Sequence, residues 1–210
     1  MALVVGLDFD NTLVDYGPLF HRLYAERFGP APHLAADKTA VRDAVRGLAD
    51  GETAWRELQA LAYGPRIGEA ELFEGAAECV RACRQAGARV CVVSHKTERP
   101  GNGASGPDLR QAALGFMAER GFFSPEGLGL CPEDVFFCST RCRKAAQAAR
   151  LGCTHFVDDL PEVFAEPDFP PGADKILFRP GPALPAPTGL TVKATWREIG
   201  AHLLADRGVS

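Results

Sequence analysis

The sequence predicts an α/β protein built on a doubly wound parallel sheet, and three observations predict it. The apolar run Ala2 to Leu7 shows no polar alternation, so it reads as a strand covered on both faces. Further apolar runs recur downstream, at Arg89 to Val93, Val135 to Cys138, Thr154 to Val157 and Lys175 to Phe178, separated by helical patterns. Polar residues stand at the ends of several of these runs, where ligands gather in such sheets: Asp8-Phe9-Asp10-Asn11-Thr12, Ser94-His95-Lys96-Thr97 and Asp158-Asp159.

After the first strand the pattern turns helical. Pro18 to Phe28, Asp37 to Leu48 and Glu52 to Tyr63 read as helices, the second opened by Asp37 and carrying Val41, Val45 and Leu48 at helical spacing. Gly29-Pro30-Ala31-Pro32 and Gly64-Pro65 punctuate them, which makes residues 15–70 a compact helical insertion. Alternation resumes at Phe73, with a helix from Gly75 to Gln85 stopped at Gly87 ahead of the strand that ends at Ser94. Lys96 to Asp108, rich in Gly, Pro and Asn, reads as a loop leaving the functional end of the sheet. A helix from Leu109 to Arg120 follows. Ser139-Thr140 then caps a helix from Arg141 to Arg150 that carries Lys144. Arg179 to Gly189 is an irregular Pro-rich connector, and Thr195 to Leu204 a last helix with Trp196 and Ile199 facing inward. There is no internal repeat.

A chain of 210 residues can bury a full core for one domain with a small insertion. Its net charge of −4, with the two signs interspersed, leaves no electrostatic footprint for nucleic acid or for an anionic membrane surface. The expected partner is a small molecule or a peptide, and the protein a monomer or homodimer. A signal-peptide pattern is missing and no apolar run approaches about 18 residues, so a cytoplasmic protein is expected. The seven cysteines form no CxxC pair, which fits a reducing compartment and small buried thiols rather than a disulfide framework or zinc ribbon. Cys79 and Cys83, like Cys138 and Cys142, stand four residues apart and can approach one another.

Asp8 and Asp10 share a face of an extended chain at the carboxyl end of a buried strand. Adjacent carboxylates such as Asp158 and Asp159 repel one another unless a cation or hydrogen-bond donors hold them. Phosphoryl transfer uses all of these groups. Mg²⁺ takes oxygen ligands, so a carboxylate of Asp8, the backbone carbonyl of Asp10 and a carboxylate of Asp158 or Asp159 make a shell for it. Asp8 then serves as nucleophile, while Lys144 and the Ser94 hydroxyl offset the charge of the transferring group. Asp10, crowded by other carboxylates, suits a general acid and base. Thr12 is expected to fix the loop through side chain to backbone hydrogen bonds. His95 and Lys96, with Asn11 and Thr12, are candidates for contact with the substrate phosphate. Tyr16, His21, Lys38, Arg42 and Trp55 lie in the helical insertion, where packing and surface roles are the simpler account.

The order DFDNT (Asp8 to Thr12), VVS (Val92 to Ser94), Lys144 and FVDD (Phe156 to Asp159) resembles the haloacid dehalogenase (HAD) superfamily of hydrolases, along the whole chain. The resemblance implies a Rossmann-like core of residues 1–14 and 71–210 with a small helical cap at 15–70. It implies Asp8 as nucleophile, Asp10 as acid and base, Ser94 as phosphate-binding hydroxyl, Lys144 as charge-stabilising lysine, and Asp158 with Asp159 as metal-binding acids. Lys96 is a second, less direct match for the lysine. Within the superfamily, an acid two residues beyond the nucleophile separates phosphatases from dehalogenases, and Asp10 stands there. The implied activity is a Mg²⁺-dependent phosphatase acting on a small phosphorylated metabolite, a sugar phosphate or nucleotide. A phosphotransferase or mutase using the same intermediate, and a non-catalytic binding protein of the same fold, are the alternatives.

Overall fold

Strands and helices alternate as the apolar runs dictate. The computed structural model describes residues 2–102, 105–182 and 184–205. In chain order it contains β1 (Val4–Leu7), β2 (Val14–Asp15), α1 (Gly17–Phe28), α2 (Lys38–Arg46), α3 (Gly51–Ala62), β3 (Glu71–Leu72), α4 (Ala76–Gln85) and β4 (Arg89–His95). Then come α5 (Leu109–Glu119), β5 (Val135–Cys138), α6 (Arg141–Arg150), β6 (His155–Asp158), α7 (Pro161–Phe164), β7 (Asp174–Phe178), β8 (Thr191–Lys193) and α8 (Trp196–Leu204).

Six strands form one sheet in the order β5-β4-β1-β6-β7-β8, and every pairing in it is parallel. The chain leaves β1 to one side for β4 and to the other for β6, so the strand order reverses at β1. In an open α/β sheet that reversal opens a crevice at the carboxyl ends of the strands. Register brings the ends together, because Leu7 stands opposite both Val92 and Val157. Gly6 in β1 is required by close packing: a Cβ there would lie 2.4 Å from a ring carbon of Phe156.

Helix α6 packs on β4 and β5, and α4 packs on β4 and against α8. One part of the core joins Cys91, Val93, Ala145, Ala148, Phe156, Phe164, Phe169 and Leu177. Elsewhere Phe178 stacks edge-on with Phe73 at 4.9 Å and lies 5.8 Å from Trp196. The Trp196 indole N–H donates to the Thr12 carbonyl at 3.0 Å, which ties the last helix to the loop after β1. Expected thiol behaviour holds at Cys91 and Cys153, where burial pushes the thiols up to about 12 and about 11. Cys79 and Cys83 meet through their side chains on α4, whereas Cys138 is buried on β5 and Cys142 is exposed on α6.

The described chain forms two compact units. The first comprises residues 2–13, 72–96 and 120–205, and holds the six-stranded sheet; the second is Val14–Glu71 with Thr97–Glu119. In the second unit, Phe20 lies 4.8 Å from Trp55 and 5.7 Å from Tyr63, and Tyr16 lies 4.8 Å from Tyr63. Of the polar residues noted in the insertion, Lys38 stands over the Tyr63 ring, His21 meets the Ala31 carbonyl and Arg42 pairs with Asp43.

Several expectations need correction. The sequence pattern places Thr97–Glu119 in the core, but the segment belongs to the second unit: α5 buries Leu109, Ala113, Phe116 and Met117 and packs on the 3₁₀ turn Ile67–Glu69. Its apolar spacing looks the same whichever unit it faces. Helix α2 stops at Arg46, leaving Leu48 40% exposed, because Gly47 caps it. Asp37 caps its start by accepting from the Ala40 N–H. The expected loop at 96–108 contains a 3₁₀ turn at Pro100–Asn102, and its residues 103 and 104 lie outside the described residues, as does residue 183 of the Pro-rich connector. Strands β2, β3 and β8 and helix α7 are too short to give a periodic signal.

Candidate active site

Each site residue is delivered by a strand end or a helix start of the sheet-bearing unit. Asp8 follows β1 directly, and its backbone N–H donates to the Val157 carbonyl at 2.9 Å, so pairing with β6 continues one residue past the strand. The next residues turn sharply: Asn11 has φ 63°, and the Leu13 N–H returns to the Phe9 carbonyl at 3.1 Å. Asn is among the side chains that best tolerate this left-handed conformation. Asp158 ends β6. Lys144 lies on α6, whose start is capped by the Thr140 hydroxyl accepting from the Arg143 N–H at 3.2 Å.

The centre of the site is a buried charge cluster. The Lys144 ammonium lies 2.5 Å from Asp8 Oδ1 and 2.6 Å from Asp158 Oδ2, with Lys144 only 1% exposed. Burial of an ammonium weakens it as a cation, but the Asp158 and Asp8 carboxylates more than offset that and hold Lys144 above its usual range. Burial pushes the Asp158 carboxyl up to about 7 against the pull of Lys144, and the Asp8 charge adds to the rise.

Asp159 completes a set of acids with Asp8 and Asp158, one oxygen from each lying within 4.8 Å of the others. Three carboxylates so close suit a hard divalent cation such as Mg²⁺. The Thr12 hydroxyl accepts from the Asp159 N–H at 3.1 Å and contacts its carboxylate at 3.5 Å. Thr12 therefore makes the expected kind of bond, side chain to backbone, and with it tethers the loop after β1 to the loop after β6. Leu160 N–H donates to Asp158 Oδ1 at 3.0 Å. Asp158 is the fully buried member of the adjacent pair, and Asp159 is half-buried.

Ser94 reaches the same strand-end region from β4. Its Oγ is buried and has no hydrogen-bond partner among the described residues. A buried hydroxyl without a partner is costly, and a bound anion would relieve it. His95 faces the other way in the alternation of the strand; it is exposed, with Nε2 3.2 Å from the Ser139 carbonyl. Lys96, 3% exposed, pairs with Asp10: its ammonium lies 3.0 Å from Oδ1 and 2.7 Å from Oδ2. Asp10, read from the sequence as crowded by carboxylates, meets an ammonium as well. This pair was missed in the sequence. Its signal was the spacing, since Ser94 and Lys96 share a strand face once β4 runs to His95.

By sequence, no protein-family model matches the chain, and neither does any curated protein. Among solved structures, it is similar to a HAD family hydrolase from Deinococcus radiodurans R1 with bound phosphate and sodium, with TM-score 0.55 and 18% identity over 97% of this chain and 96% of that one. A HAD-hydrolase type protein from Bacillus subtilis bound to magnesium gives TM-score 0.56 and 12% identity over 97% and 98% of the two chains. A protein described as a dehalogenase gives TM-score 0.55 and 17% identity over 98% of each. These likenesses establish the fold alone: an α/β, Rossmann-like sheet that matches those of the HAD-family neighbours. No helix among the described residues is long and apolar enough to cross a membrane.

Proposed function

We propose that the chain is a HAD-type, Mg²⁺-dependent phosphatase that hydrolyses a small phosphorylated metabolite, of the sugar phosphate or nucleotide class, through an aspartyl-phosphate on Asp8. The observation that carries this reading is the buried contact of Lys144 with Asp8 and Asp158, beside the third acid Asp159. Lys144 fixes one oxygen of Asp8, which orients the carboxylate for attack on phosphorus. As the bond from Asp8 forms, the bond from phosphorus to the leaving oxygen breaks, and Asp10 gives that oxygen its proton. Asp10 then takes a proton from a water that attacks the same phosphorus, releasing inorganic phosphate and restoring Asp8.

The Ser94 hydroxyl binds a phosphoryl oxygen, and Lys144 with nearby backbone N–H groups offsets the charge gathered around the transferring group. Asp8, Asp158 and Asp159, with the Asp10 backbone carbonyl, would hold Mg²⁺. Bound there, the cation supplies further charge neutralisation at the phosphoryl oxygens. The second unit is read as the cap of this fold. Magnesium and phosphate are bound by the Bacillus and Deinococcus neighbours, respectively, which supports the same ligands here. A dehalogenase neighbour keeps that reaction in view, but a departing halide takes no proton, and Asp10 supplies a group that only an oxygen leaving group needs.

The test is phosphate release from a panel of sugar phosphates, nucleotides and phospho-acids, with and without Mg²⁺. Metal-dependent release that falls by at least about 10³-fold in Asp8→Asn is expected. Release unaffected by the substitution, or halide release from short 2-haloacids in place of phosphate release, overturns the reading. Analysis of products in the presence of an added alcohol separates hydrolysis from transfer to another acceptor.

A further inference from the structure

Two ammonium groups stand in the candidate site, and they have different partners. Lys144 is bonded to Asp8 and Asp158, whereas Lys96 holds Asp10 through both of its carboxylate oxygens, at 3.0 and 2.7 Å. The backbone of Lys96 is pinned, because its N–H donates to the Cys138 carbonyl at 2.9 Å and so extends the β4–β5 pairing. Its side chain is 2% exposed, with the ammonium 5.7 Å from the centre of the Phe9 ring. Taking an ammonium out of water costs several kcal/mol unless a carboxylate faces it, and Asp10 does. The Asp10 side chain keeps 17% of its surface exposed, whereas that of Lys96 keeps 2%.

Resting on the phosphatase reading, we propose that Lys96 is a positioning residue for Asp10, holding its carboxyl in one orientation to deliver the proton to the leaving oxygen, and that it does not bind the substrate phosphate. As that proton moves, negative charge develops on Asp10 against the Lys96 ammonium, so the contact strengthens in the transition state. The effect on the first step, which kcat/KM reports, grows with the basicity of the leaving group, whereas the attack of water that follows is common to all substrates. A p-nitrophenolate departs with little help from an acid, whereas an alkoxide cannot depart without one.

The experiment compares the chain with Lys96→Met and Lys96→Arg, all with Mg²⁺, on p-nitrophenyl phosphate, phenyl phosphate and glycerol 2-phosphate, with inorganic phosphate as competitive inhibitor. Lys96→Met is expected to lower kcat/KM on glycerol 2-phosphate about 10²-fold while changing kcat/KM on p-nitrophenyl phosphate and inhibition by phosphate by less than about 3-fold. Lys96→Arg keeps the charge and is expected to recover part of the loss. It also provides the test if the methionine variant fails to fold, since the altered geometry still steepens the dependence on the leaving group. Equal loss on all three substrates with weaker inhibition by phosphate makes Lys96 a phosphate ligand and overturns the proposal, as does no loss at all. If the unaltered chain releases phosphate from none of the three and from no member of the sugar phosphate and nucleotide panel, the phosphatase reading falls first and the proposal with it.

Discussion

Asp158 shows how far burial can shift a single group. In the folded chain its carboxyl is pushed up to about 7, while in the unfolded chain it titrates near about 3.9. A folded value above the unfolded one stabilises the folded state fully below the unfolded value, and that stability is lost as pH rises through the folded value. With chelator present, the melting temperature of the chain relative to Asp158→Asn should therefore be highest below pH about 4, fall as pH rises to about 7, and level off above. A difference that is flat with pH would show that Lys144 neutralises Asp158 throughout. The residue types at this scale were legible from order and spacing: Asp8, Ser94, Lys144, Asp158 and Asp159 stand at strand ends or on a helix, and the structure gathers Lys144 and the three acids. Partners were less legible. The Asp10–Lys96 contact spans 86 positions and depends on where β4 stops, which composition does not fix.

At the scale of elements, caps carry much of the local information. Thr195 and Glu198 form a reciprocal cap at the start of α8: the Thr195 hydroxyl accepts from the Glu198 N–H at 3.2 Å, and Glu198 Oε2 accepts from the N–H groups of Thr195 and Ala194 at 3.1 and 2.8 Å. Those donors hold the Glu198 carboxyl below its usual range. Thr195→Ala should cost about 1 kcal/mol, read as a shift of the denaturant midpoint at unchanged m-value. A shift within error would place the stability of α8 in the packing of Trp196 and Ile199 alone. Helices with such caps, α2, α6 and α8, were legible in the sequence to within about two residues. Strand β8 was not, because its three residues are all half-buried and polar Thr191 and Lys193 flank one apolar Val192.

At the scale of the molecule, a parallel sheet whose order reverses at β1 places the ends of β1, β4 and β6 side by side, and the motif residues arrive there from distant parts of the chain. That architecture could be read from the unalternating apolar runs, since strands covered on both faces leave few other arrangements. The membership of Thr97–Glu119 could not, because an amphipathic helix announces that it packs without announcing on what. The account stands on Asp8 as the atom that takes the phosphoryl group. Its most direct measurement is mass spectrometry of the peptide carrying Asp8, after acid quench of the Mg²⁺-loaded chain turning over an aryl phosphate. A phosphoryl increment on Asp8 that rises during turnover and is missing in Asp8→Asn is the predicted result. Turnover with no increment on Asp8, at a rate that Asp8→Asn shares, would contradict it.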